Sequence, residues 1–147
     1  MKRASDMTPQ EIAEGSAKAM WDGDRASQHL GMKITHIAPG EATLTMPITE
    51  AMTNGHDNCH GGYIFTLADS AFAFACNTYN AVTVGQQVSI NYLFPAKLGD
   101  MLTALAREAS RAGRSGVYDV TITNQDGRQV ALFRGLSRTI KGSYLPE

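Results

Sequence analysis

The sequence predicts an α+β fold in which an antiparallel sheet wraps around one long buried helix. Three observations predict it. A length of 147 residues suits a single domain with one core. The run from Gly61 to about Asn77 is apolar on nearly every face and rich in alanine, as a buried helix should be. The segments before and after it alternate with the period of two that marks strands. A sheet curved around that one helix is the economical way to cover it.

Taken in order, Thr8-Pro9-Gln10-Glu11 reads as a capping box with proline at the first helical position, so a helix should run from there to about Asp22-Gly23. The lone Trp21 is expected to pack this helix. A short helix is expected from Asp24 to Leu30, stopped by Gly31. Met32, Ile34 and Ile37, the Pro39-Gly40 turn, and alternating Ala42, Leu44, Met46 and Ile48 predict a hairpin. Thr49 to His60 is a polar loop, too rich in side chains that compete with the backbone to be regular. After the long helix, strands are expected at Val82–Phe94, Met101–Ser110, Val117–Asn124 and Gln129–Ile140. Their turns are Pro95–Asp100 and Asn124-Gln125-Asp126-Gly127.

Composition narrows the function. Hydrophobic residues make up 43% and charged residues 18%, which is globular. A net charge of −1 gives no reason to expect nucleic acid or an anionic membrane as partner. Cys59 and Cys76 make no disulfide framework, and Cys76 in its apolar run reads as a small core residue. No signal-peptide pattern follows Met1-Lys2-Arg3, and no segment reaches the length of a membrane span. The expectation is a cytoplasmic enzyme or binding module.

Chemistry concentrates between Asn54 and Asp69. The first turn of a helix carries backbone N–H groups without partners, and its dipole is positive there. Gly61 and Gly62 at such a start let a substrate atom approach closely, which suits an oxyanion hole. They equally suit a tight turn. Asp69, inside LADSAFAFA, should be desolvated and so have a raised pKa, as a general base near neutrality requires. It could instead be structural, bonded to Ser70 or to a backbone end. His56, Cys59 and His60 have a spacing that could supply zinc ligands, but no second cluster completes four, so no metal is expected. His60 is better read as orienting the loop or touching a substrate oxygen. Arg111 to Gly116 is either a phosphate grip or a solvated hairpin turn. Gly61 and Asp69 are eight residues apart, about 12 Å along one helix axis. They can act on one carbonyl only if they come from different chains, with two such helices antiparallel across a two-fold axis.

Asn54, His60-Gly61-Gly62 and Leu67-Ala68-Asp69, followed by an alanine-rich helix, resemble the PaaI-type thioesterases of the hotdog superfamily, the phenylacetic-acid-degradation type. The likeness runs from about Gly31 to Ile140 and includes NYLFPAKLGD. It implies a hotdog thioesterase domain over 31–147, an N-terminal helical extension over 1–30, and a homodimer assembling to a homotetramer. It implies hydrolysis of an acyl-CoA, with an aromatic phenylacetyl or hydroxyphenylacetyl group as best guess and no cofactor. Carried over, Asp69 is general base or nucleophile, the Gly61 N–H polarises the carbonyl, Asn54 positions thioester or water, and His60 supports that end with Gly62 beside it. Thr83 and Gly85 stand near the place where some relatives hold the water with a Ser or Thr. Phe94, Pro95 and Lys97, with Arg111 and Arg114, are the implied contacts to CoA. Two other readings share the cleft: a hydratase or dehydratase of the same fold, and a non-catalytic acyl-CoA-binding module. The first would pair a catalytic His with an acid, and the second would carry an output domain.

Overall fold

The sheet explains the fold. In the computed structural model, which describes residues 2–147, six strands form one antiparallel sheet in the order β1-β2-β4-β5-β6-β3. They are β1 (Lys33–Ala38), β2 (Glu41–Pro47), β3 (Thr83–Tyr92), β4 (Met101–Ala112), β5 (Ser115–Thr123) and β6 (Gln129–Thr139). Three helices accompany them: α1 (Pro9–Gly23), α2 (Arg25–His29) and the long α3 (Gly61–Cys76). α3 carries the chain from β2 to the far edge of the sheet, where β3 pairs with β6 alone. The remaining strands then fill the space between, so the sheet wraps around α3.

Each element forms where the sequence places it. The Thr8 hydroxyl accepts from Glu11 N–H and the Glu11 carboxylate accepts from Thr8 N–H, completing the capping box of α1. Gly31 and Gly40 take φ of +74° and +73°, which glycine adopts without strain, ending α2 and turning the first hairpin. β2 and β5 bury every second residue. Their inward side chains, Leu44 and Met46 with Tyr118, Val120 and Ile122, meet Leu67, Ala68, Ala71, Phe72 and Ala75 of α3. Ala104 and Ala106 of β4 are fully buried and keep the helix close to the sheet. The Phe72 ring lies against two glycines. A Cβ on Gly135 would stand 2.7 Å from it, and one on Gly85 3.1 Å.

Two expectations need correction. The 49–60 loop is more ordered than its composition suggests. It contains a 3-10 turn at Glu50–Met52, and Thr53 bridges Cys59 while Asn58 bridges Lys97. Nor is α3 covered on all sides. The sheet covers one face, and α1 and α2 cover part of the rest, with Trp21 on Phe74 at 6.1 Å between ring centres and Ser27 bonded to Ser70 at 2.8 Å. Gly62 and Asp69 remain exposed, and Thr66 and Ala73 are half-buried. Spaced three and four apart, these four form one bare stripe along α3.

Candidate active site

The start of α3 is built by the residue before it. His60, extended at φ −60° and ψ 132°, is the N-cap, and its Nδ1 accepts from Gly62 N–H at 3.0 Å. An accepting Nδ1 carries no proton, so His60 contributes a cap rather than a catalytic base at that atom. Tyr63 N–H donates to the His60 carbonyl. Gly61 N–H, the first of the helix, has no acceptor among the described residues. The two glycines therefore separate: Gly62 is engaged in capping, and Gly61 presents a donor at the positive end of a 16-residue helix.

Tyr92, which the sequence did not single out, stands over this donor. Its hydroxyl donates to the Gly61 carbonyl at 2.9 Å, and a Cβ on Gly61 would come within 3.0 Å of its ring. Around Gly61 lies a groove lined by Asn54, Tyr92, Phe94 and Pro95. Lys97 reaches its rim by donating from Nζ to Asn58 Oδ1 at 3.0 Å. Asn54 is engaged in its own loop, its Oδ1 accepting from His56 N–H. Arg128, also unforeseen, stacks on Phe94 with its guanidinium 4.1 Å from the ring centre.

Asp69 opens into a different groove, lined by Phe72, Ala73, Thr83, Gly85, Gln87 and Val88 among others. Its carboxylate has neither a hydrogen-bond donor nor a cation partner among the described residues. The neighbouring Ser70 is bonded to Ser27 instead. More than a third of Asp69 is open to solvent in the single chain, so its charge is less costly than its apolar neighbours suggested. Packing of those neighbours still desolvates it enough to raise its pKa above the usual aspartate range. Gly85 offers no side chain to hold a water. The Thr83 hydroxyl is engaged, donating to Ala81 O at 2.9 Å and meeting Thr139 Oγ1 at 3.2 Å.

The predicted residues thus fall into two groups at different places along α3. Asn54, His60, Gly61, Gly62, Phe94, Pro95 and Lys97 gather at its start. Asp69, Thr83 and Gly85 gather eight residues further on. Arg111 and Arg114 belong to neither. The Arg111 guanidinium stacks 3.6 Å above the Tyr79 ring and pairs with Glu108 at 3.4 Å, beyond the C-terminal end of α3. Arg114 lies in the β4–β5 turn, where its carbonyl accepts from Thr139 N–H. Both thiols are buried, and burial pushes Cys59 up to about 11 and Cys76 up to about 12, so neither is a nucleophile at neutral pH. Among the described residues no cluster of three His, Cys, Asp or Glu could hold a metal ion, and no helix is long and apolar enough to cross a membrane.

Comparison with known proteins identifies the family. Residues 56–131 match the family model described as the thioesterase superfamily. The acyl-coenzyme A thioesterase PaaI of Escherichia coli is 43% identical over 132 residues, covering 90% of this chain and 94% of that protein. The solved structure of the E. coli PaaI protein from the phenylacetic acid degradation operon matches with a TM-score of 0.91 at 42% identity, covering 92% of this chain and 99% of that one. A hypothetical thioesterase from Streptococcus pneumoniae, solved with coenzyme A, matches at TM-score 0.72 and 32% identity over 76% of this chain and 90% of that one. The bent sheet, the long helix and these relatives agree: the chain belongs to the thioesterase superfamily, as a hotdog-fold thioester hydrolase of the PaaI type.

Proposed function

We propose that this protein hydrolyses acyl-CoA thioesters at a site shared between two subunits, with Asp69 of one chain facing Gly61 of the other. One observation carries the reading. An N–H without an acceptor and a carboxylate without a donor among the described residues stand on the same helix, about 12 Å apart along its axis. Neither can serve a carbonyl held by the other in the same chain. The bare stripe of Gly62, Thr66, Asp69 and Ala73 supports a second α3 lying antiparallel against it. The midpoint between positions 61 and 69 falls at Phe65, so the two-fold axis passes beside Phe65 and Thr66. A homodimer is the assembly this implies, and its further pairing into a homotetramer rests on the resemblance to PaaI-type thioesterases.

The chemistry then follows. The Gly61 N–H donates to the thioester oxygen and holds the charge that develops there during attack. If Asp69 is a base, it takes a proton from water as the water oxygen bonds to the carbonyl carbon. The tetrahedral intermediate collapses, the C–S bond breaks, and the CoA thiolate leaves and is protonated. If Asp69 is the nucleophile, its oxygen displaces the thiolate first and water then cleaves the mixed anhydride. Both routes end in free acid and CoA. His60 holds the helix start in place, Asn54 sits where it can position thioester or water, and the Phe94-Pro95-Ala96-Lys97 turn meets CoA. Arg128 beside Phe94 is better placed for a CoA phosphate than Arg111, whose charge already faces Glu108. The similarity to the E. coli protein favours an aromatic acyl group of the phenylacetyl type. The helical segment over 1–30 is read as an extension of the thioesterase domain over 31–147.

The test is release of free thiol from a panel of aryl- and alkyl-CoA thioesters, with Asp69→Ala alongside. Turnover by the wild type, and its loss in Asp69→Ala with binding retained, is the expected result. A fully active Asp69→Ala protein would remove the mechanism, and absence of thiol release from every thioester would move the protein to the binding-module reading.

A further inference from the structure

The groove at Asp69, about 490 Å3 in volume, has an end wall that comes from outside the helix and sheet. Its floor follows one face of α3 through Asp69, Phe72, Ala73 and Asn77, a run of about 12 Å. Tyr144 of the 140–147 strap, bonded to Asn77, stands at the far end, and Met20 of α1 lines the same groove.

Tyr144 is held with unusual care for a residue outside the regular elements. Its hydroxyl donates to Asn77 Oδ1 at 2.6 Å, and Asn77, 2% exposed, uses its Nδ2 to bond Ala73 O and Thr83 O. Its backbone is held by Asn80, whose Oδ1 accepts from Tyr144 N–H at 3.0 Å and Leu145 N–H at 2.8 Å. Asn80 adopts φ +57° to do so. The strap is tied to the residue before β3, Val82 N–H donating to Gly142 O, and to the N-terminal segment through Ala4 N–H on Pro146 O at 2.7 Å. Leu145 is buried against Gly15 of α1, where a Cβ would stand 3.1 Å from it. α1 and the strap therefore clasp each other, and each contributes one side chain, Met20 and Tyr144, to the lining of the groove.

We infer that Met20 and Tyr144 form the end wall of the acyl site and set the longest acyl group the enzyme accepts. This rests on the reading of Asp69 as the reacting carboxylate. With the carbonyl at Asp69 and CoA leaving toward the partner's half-site, the acyl group points along Ala73 toward Asn77 and meets the Tyr144 ring. The wall makes α1 and the strap specificity elements rather than ornaments of the fold.

The experiment measures kcat/KM for butyryl-, phenylacetyl-, decanoyl- and dodecanoyl-CoA, and in parallel the affinity for the corresponding non-hydrolysable thioethers. The quantity read is the ratio of long to short acyl groups within one preparation, which a loss of folded protein does not move. Tyr144→Ala and Met20→Ala should each raise the dodecanoyl-to-butyryl ratio by at least about tenfold, mainly through KM. Met20→Trp should lower it, and Tyr144→Phe, which keeps the ring, should leave it where it was. Should Tyr144→Ala fail to fold, Met20→Ala decides alone. An unchanged ratio in the folded alanine variants overturns the wall while leaving the Asp69 reading intact. If the wild type releases no thiol but its thioether affinities still shift with the variants, the wall stands and the catalytic reading falls. If it neither releases thiol nor binds any thioether, both fall.

Discussion

Gly61→Pro offers an unusually narrow perturbation of the proposed oxyanion donor. Proline at the first position of a helix is tolerated because the N–H it lacks has no intrahelical acceptor. His60 already holds the extended backbone that the residue before a proline must adopt. An added Cβ would stand 3.0 Å from the far end of Tyr92, which is 51% exposed and would have to shift, loosening its hydroxyl from the Gly61 carbonyl. The substitution therefore deletes one N–H with an accompanying shift in Tyr92, and should lower kcat by about 10²–10³. The stronger test combines it with Asp69→Ala. When the two inactive chains are co-expressed in equal amounts and assort randomly, each site draws its aspartate from one chain and its glycine from another. Each contribution is intact half the time, so about one quarter of the sites, and of the wild-type activity, should return. That fraction is the same for dimers and tetramers. Thiol release on the purified mixture, with equal expression checked by mass, is the assay. If both groups acted within one chain, no assortment could restore a site. Activity no higher than the mean of the two parents refutes the shared site.

The remaining predictions follow from the same contacts. The raised pKa of Asp69 should place the acid limb of kcat/KM above the usual aspartate range, since the ionised form does the work. Because the folded-state pKa is raised, the same group costs stability above it, and that cost is relieved as pH falls through it; Asp69→Asn should be more stable than wild type at neutral pH and lose the difference in acid, as denaturation midpoints at two pH values will tell. Thr66→Cys, beside the proposed two-fold axis, should form an interchain disulfide under mild oxidation, visible as a covalent dimer on a non-reducing gel, because the native thiols Cys59 and Cys76 are buried; persistence of monomer there would count against antiparallel α3 packing. Gly135→Ala puts a methyl into the Phe72 ring and should cost about 1–3 kcal/mol by denaturant titration, largely recovered in combination with Phe72→Leu. His60→Ala removes the cap of α3 and should cost about 1 kcal/mol, whereas His60→Asn, which can accept from the same N–H, should lose less.

What could be read from the sequence, and what could not, divides along physical lines. The capping box at Thr8, the glycine turns and the alternation of β2 and β5 are local. A few adjacent side chains determine them, so the element order was legible, as were Gly61 and Asp69 as the residues worth attention. Whether Asp69 is buried is not a local property. An all-round apolar helix predicts complete cover, yet one sheet can cover only one face of a helix. The uncovered stripe falls on Gly62, Thr66, Asp69 and Ala73. Tyr92 over Gly61, Arg128 on Phe94 and Tyr144 on Asn77 were also out of reach, since each contact joins residues far apart in the chain. Arg111 shows the same limit: near the end of β4 it reads as an available cation until Glu108 and Tyr79 are brought beneath it.

The bare stripe is also where the argument for two chains becomes physical rather than arithmetical. A single chain that leaves half-buried Phe65 and Ala73 beside an exposed, unpartnered carboxylate has an apolar face with one costly charge on it. Covering that face with a second α3 would desolvate Asp69 further and raise its pKa again, unless a donor arrived with the covering helix. An antiparallel α3 brings the N-terminal end of its dipole, with the open Gly61 N–H, to the place where that charge sits. With no substrate between them, the two groups would offset part of each other's cost; with a thioester between them, one would face its oxygen and the other its carbon. On this reading the assembly that covers the helix is the same one that completes the site, so a variant that weakens dimerisation should lose activity in proportion to the monomer it releases. Sedimentation and thiol release measured on one dilution series of Phe65→Arg would show whether the two curves coincide, and a monomer that keeps its turnover would separate them.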